Sequence, residues 1–219
     1  MYRKLLLLFI LFCFQESKAQ QACPIGTLGQ TPATAFPVCG TSTFTQGSVN
    51  LCGNTVVPVP ACNNGTIYTD INPYWYRFTC YTAGTLSFLI TPTNLNDDYD
   101  WQLFDITGHD PAEVYTNSSL IVAYNWSGVT GITGATGQGV NLFECASVTV
   151  PASTPSPFSK MPNLIKGHNY LLLISHFDDT SQSGYDLSFQ DGSGGASNLA
   201  IITDPVSYTH LTLPTNREV

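Results

Sequence analysis

Basic residues are almost missing from this sequence. Between Gln20 and Pro205 only Arg77, Lys160 and Lys166 are basic against 13 acids, giving 3 − 13 = −10. A nucleic-acid partner is excluded, because phosphate contacts need clustered Lys and Arg. Docking on an anionic membrane surface is disfavoured on the same ground. Long apolar runs are missing as well. The run Leu5 to Phe14 has ten residues, against about 20 needed for a membrane-spanning helix. Helical periodicity is scarce, and the abundance of Gly, Thr, Ser, Asn and aromatic residues disfavours helix and favours strand.

Several chemical signatures are absent too. No C-x-x-C occurs, and no His is spaced to complete a zinc tetrahedron. There is no G-x-S-x-G nucleophile elbow. The Gly-rich text GVTGITGATGQG (residues 128–139) lacks the Lys-Ser/Thr ending of a phosphate loop and is read as a solvated loop. The D-x-D-x-D-G spacing of an EF-hand is missing. No catalytic residue set emerges, and the chain is read as non-enzymatic.

What is present begins at the N-terminus. Arg3 and Lys4, then the apolar run, then Ser17-Lys18-Ala19 form a secretory signal peptide over residues 1–19. Residues 20–205 form one β-sandwich domain, of which 20–65 is a Cys/Pro-rich part tied down by bridges. Residues 206–219 begin VSYTHLTLPT, which resembles a translated library adapter. They are expected to be non-native, with further domains of the natural chain beyond Pro205. Six cysteines follow the signal: Cys23, Cys39, Cys52, Cys62, Cys80 and Cys145. An even number in an oxidising compartment implies disulfides. The expected pairing is Cys52–Cys62, with Cys80 reaching Cys145 or the N-terminal segment.

Alternation defines the strands. Trp75 to Cys80 and Thr85 to Ile90, joined by Thr82-Ala83-Gly84, read as a hairpin. Asp100 to Ile106 and Leu120 to Trp126 are further strands. The apolar NYLLLISHF (169–177) suits a sheet centre, and Tyr185 to Phe189 alternates again. Seven or more strands give an all-β antiparallel sandwich, jelly-roll-like, with a disulfide-tied N-terminal segment.

The acid-rich stretch DDYDWQLFD (97–105) is the first candidate site. Strand alternation sends Trp101 and Leu103 to one face, and Asp100, Gln102 and Phe104 to the other. Three readings compete. Asn94 to Asp98 is an Asx-stabilised turn; or Asp97, Asp98 and Asp100 hold a structural calcium; or two carboxylates form a glycosidase pair. His109 belongs to a turn, and His176 beside Asp178 and Asp179 caps a loop or forms a second acidic turn. Tyr74, Trp75 and Trp126 are candidates for stacking a sugar, although core packing competes for each.

The blocks NPYWYRFTCYTAGTLSFLITP, DDYDWQLFDITGHDP, VAYNWSG and HNYLLLISHFDDTSQSGYDLSF, in that order, resemble an N-terminal domain of Bacteroidetes cell-surface proteins. Such proteins carry PKD-like or immunoglobulin-like repeats and a gliding-motility-associated C-terminal domain. The resemblance covers about residues 66–205 and names no catalytic set. It implies export across the inner and outer membranes and a non-catalytic role in adhesion or display, with an extracellular polymer, glycan or protein as partner. A looser likeness links the acid-rich turn and the late strand to pre-peptidase C-terminal domains of secreted proteases, some of which bind calcium. A carbohydrate-binding module and a calcium-binding accessory domain of a secreted hydrolase are the alternatives.

Overall fold

The computed structural model describes residues 21–38, 43–62, 66–145 and 155–189. Among the described residues, thirteen strands run in chain order: β1 (Phe36–Pro37), β2 (Thr43–Ser48), β3 (Tyr74–Thr79), β4 (Gly84–Thr85), β5 (Phe88–Pro92), β6 (Tyr99–Asp105), β7 (Ile121–Trp126), β8 (Thr133–Thr136), β9 (Phe143–Cys145), β10 (Phe158–Lys160), β11 (Asn163–Leu164), β12 (Asn169–His176) and β13 (Ser183–Ser188). Three short 3-10 helices among the described residues cover Pro32–Thr34, Pro111–Tyr115 and Ser118–Leu120. No helix among the described residues is long and apolar enough to cross a membrane.

The strands make an all-β sandwich. One large sheet has the order β1-β3-β12-β6-β7-β9 and the other β10-β8-β5-β13-β2, while β4 and β11 pair as a separate two-stranded sheet. Most pairs are antiparallel, but β1–β3, β7–β9 and β8–β10 are parallel. The apolar strand β12 lies between β3 and β6, where a strand buried on both faces belongs. Tyr76, Phe78, Trp101, Leu103, Leu172 and Ile174 of the first sheet meet Phe88, Ile90, Tyr185 and Leu187 of the second in one buried core.

The other face of the six-stranded sheet is also covered. There Trp75, Phe104, Tyr124, Trp126, Leu171 and Leu173 pack beneath Val57, Cys62, Tyr68 and Val114. This cover is a layer of loops, so its backbone polar groups need partners from the sheet's side chains. Gln102 Nε2 donates to Pro58 O at 2.9 Å, and the Ala61 amide donates to Tyr124 Oη at 3.1 Å. Ser175 Oγ donates to Ile71 O at 2.7 Å. Cys62–Cys145 fastens the layer to β9, and Cys23–Cys52 fastens the first described residues to it.

Three expectations are corrected. The pairing Cys52–Cys62 is replaced by Cys23–Cys52 and Cys62–Cys145, and Cys80 is buried outside both bridges. Cys39 lies outside the described residues. The hairpin from Trp75 to Ile90 does not form: β3 belongs to the first sheet and β5 to the second. Both strands alternate because both face the same core, from opposite sides. Part of the Gly-rich text is a fully buried strand, β8. A Cβ on Gly134 would stand 2.1 Å from Phe88 O, so β8 needs a glycine there to approach β5.

Candidate functional site

The acids of 97–105 disperse. Asn94 Nδ2 donates to Asp97 Oδ1 at 2.9 Å, and the Asn96 amide donates to Asn94 Oδ1 at 3.2 Å, which is an Asx-stabilised turn. The backbone amides of Gly131 and Phe177 donate to the carbonyls of Asp97 and Asp98, tying three loops together. Asp100 lies on the opposite face of β6 from Trp101, 4 % exposed, opposite Ser175 of β12. Burial, and then the charge of Asp98, push its carboxyl well above the usual range. Asp98 is likewise raised by burial, with His176 opposing. Asp105 ends the strand. Burial would raise its carboxyl, but hydrogen bonds from His168 (2.7 Å) and Thr107 hold it below the ordinary value.

Asp97, Asp98 and Asp100 therefore do not fit a calcium cage. Asp97 Oδ1 is occupied by Asn94, and its Oδ2 faces His176. Among the described residues no three His, Cys, Asp or Glu side chains converge as metal ligands.

His176 is fully enclosed. Its Nδ1 faces the Asp178 carbonyl at 3.1 Å and must donate there, since a carbonyl only accepts. Its Nε2 faces Asp97 Oδ2 at 3.6 Å, and neither atom has a hydrogen-bond partner among the described residues. The Asp178 carboxylate instead caps its own turn, accepting from the Thr180 amide and hydroxyl. His176 and Asp178 are thus no acid–base pair aimed at a substrate. His109 bonds Glu113 at 2.9 Å across a capped 3-10 turn, as its position in the sequence implies.

The sugar-stacking candidates are corrected in part. Trp75 is 0 % and Trp126 3 % exposed, so neither offers a ring face to solvent. Trp126 Nε1 donates to Gln102 Oε1, and Trp75 packs on Phe104 and Tyr115. Tyr74 is half-buried. It lines a shallow hollow of about 90 Å³ with Phe36 and Phe44, and lies so flat against Gly29 that a Cβ there would clash with its ring.

A further cavity lies away from these residues. A cleft of about 530 Å³ opens between the first two 3-10 helices and the loop layer, with Gln30, Thr31, Asn54, Asp70 and Tyr115 on its walls. Small-ligand sites fall in the range of roughly 300–1,000 Å³. Asp70 is 2 % exposed. Its Oδ1 accepts from the amides of Asn54 (3.0 Å) and Thr55 (2.6 Å), and its Oδ2 accepts from Tyr115 Oη (2.8 Å). Burial raises the Asp70 carboxyl against the pull of these donors. Burial and the Asp70 charge raise the Tyr115 phenol, which keeps it a donor.

The surrounding backbone is built for this carboxylate. Asn54 has φ 139°, a conformation non-glycine residues rarely adopt. Gly53 has φ 87°, and a Cβ there would stand 2.2 Å from Asp70 O. The Cys23–Cys52 bridge and the capping boxes at Thr31 and Asp110 hold the rim. Sequence reading missed Asp70 and Tyr115 because they are 45 positions apart and neither lies in a motif. The one local signal was Gly53-Asn54, a turn pair after a cysteine. Comparison with family models, with curated proteins and with solved structures returned no match.

Proposed function

We propose that this chain is a non-catalytic module of an exported cell-surface protein, jelly-roll-like in type, serving adhesion or display toward an extracellular polymer, glycan or protein. The observation that carries the reading is the disulfide-fastened loop layer. One bridge fastens that layer to β9 and the other fastens the first described residues to the layer, a device suited to an oxidising exterior. The blocks that resemble Bacteroidetes surface proteins add support, as does the acidic, base-poor surface.

Chemistry in the cleft argues the same way. Glycoside hydrolysis needs two carboxyls facing across about 5–9 Å, whereas Asp70 is the only acid among the described residues that line the cleft. A carbohydrate-binding module loses two of its three candidate stacking residues, Trp75 and Trp126, to the interior. The test is deletion of residues 20–205 from the gene in its source cells, keeping the signal peptide and whatever follows. Surface attachment should fall while export continues. Unchanged attachment, or polysaccharide hydrolysis by the exported protein that the deletion abolishes, would overturn the proposal.

A further inference from the structure

We propose that the Asp70 cleft binds a primary alkylammonium group, the chemistry found at the end of a lysine side chain. This inference stands on the cleft alone and does not depend on the adhesion reading.

The argument starts from charge. Asp70 is almost fully enclosed, and three donors hold its two oxygens in place. Those donors orient the carboxylate but bring no positive charge. No Lys, Arg or His is among the described residues lining the cleft. Arg77 lines a separate hollow beside Phe78 and Tyr170. The ion pairs of the described residues all involve histidines and other acids. A buried carboxylate without a counter-charge is unfavourable unless something else supplies that charge.

The shape of the cleft selects among cations. Its apolar walls (Ala22, Pro32, Ala33 and Ala112) suit a methylene stem rather than a hydrated metal ion. Tyr115, whose hydroxyl donates to Asp70, lines the same space. A single ammonium at the Asp70 end would balance the charge of the carboxylate. Its stem would leave along the alanine and proline wall. The strained backbone at Asn54 and the fixed turn at Gly53 pre-organise the acceptor end, as ligand sites require.

The experiment uses the exported, oxidised protein and two probes at neutral pH, n-butylamine and Nα-acetyl-lysine methylamide, followed by NMR. Saturable shifts are expected at the amides of Asn54, Thr55 and Asp70, with n-butanol and the Nε-acetylated lysine derivative giving none. Binding of both amines makes a polypeptide lysine a competent source of the group. Binding of n-butylamine alone makes a free amine the source, and either result supports the site. Asp70→Asn should weaken binding by about tenfold or more, the scale of a hydrogen bond to a charged group. Ala33→Phe fills the cleft without touching the Asp70 hydrogen bonds and should abolish binding, which decides the matter if Asp70→Asn fails to fold. Equal shifts with n-butanol, no saturable shift with either amine, or full binding by Ala33→Phe would overturn the proposal.

Discussion

Two acidic regions of this protein invite opposite expectations. Residues 97–105 crowd four acids into nine positions, whereas Asp70 stands alone between Thr69 and Ile71. In the fold the crowd separates: Asp97 holds a turn, Asp100 is enclosed on one face of β6, and Asp105 pairs with His168 at the strand end. The isolated acid becomes part of the wall of a cleft of about 530 Å³. Nearness in sequence along a strand sends neighbours to opposite faces, so it works against convergence. Convergence came from loops that disulfides and hydrogen bonds brought together over long separations.

The contrast can be broken most forcefully at its non-acidic members. Trp101 is 0 % exposed and packs edge-on against Phe88 at 4.8 Å. Trp101→Ala should lower unfolding free energy by about 3–5 kcal/mol in denaturant titration. That loss would show that the acid-rich stretch serves the core first. On the other side, Cys23→Ser opens the bridge that holds the cleft rim and should lower stability by about 2–5 kcal/mol. The Asp70 and Thr55 amides should then exchange hydrogen faster, while those of β12 keep their order of protection.

Asp100→Asn sharpens the comparison in the other direction, because it should stabilise the protein. The folded carboxyl binds its proton more tightly than the unfolded one, so native stability falls as pH rises above about 3.8. The asparagine variant removes that slope. It should melt like the wild type below that pH and gain on the order of 1 kcal/mol at neutral pH. The smallest effect belongs to the half-exposed pair. Asp105 is held below its ordinary value, so its contribution is present above about pH 3.8 and is lost as pH falls through the depressed folded value. His168→Ala should change stability by less than about 1 kcal/mol and remove part of this acid sensitivity.

Much of the sandwich was legible from alternation. Trp101 and Leu103 enter the core while Asp100 and Gln102 take the other face, and the apolar strand Asn169–His176 is interior, as period-two patterning requires. The strand Thr133–Thr136 was not legible, because small residues that allow close backbone approach look like loop text. Nor was the partner of β3: alternation states which residues face the core but not from which sheet. The cleft was hidden for a further reason. Asp70, Tyr115 and Asn54 carry no mutual spacing rule, and their meeting depends on Cys23–Cys52 and on the entry of the first 3-10 helix.

The sequence by itself determined an acidic, cysteine-bridged, all-β chain, because composition and strand period are local quantities. The tertiary structure decided the cysteine partners, the sheet to which each strand belongs and the acid that lines a cavity. Those are non-local facts, set by which loops can cover the second face of a sheet while satisfying their own backbone hydrogen bonds.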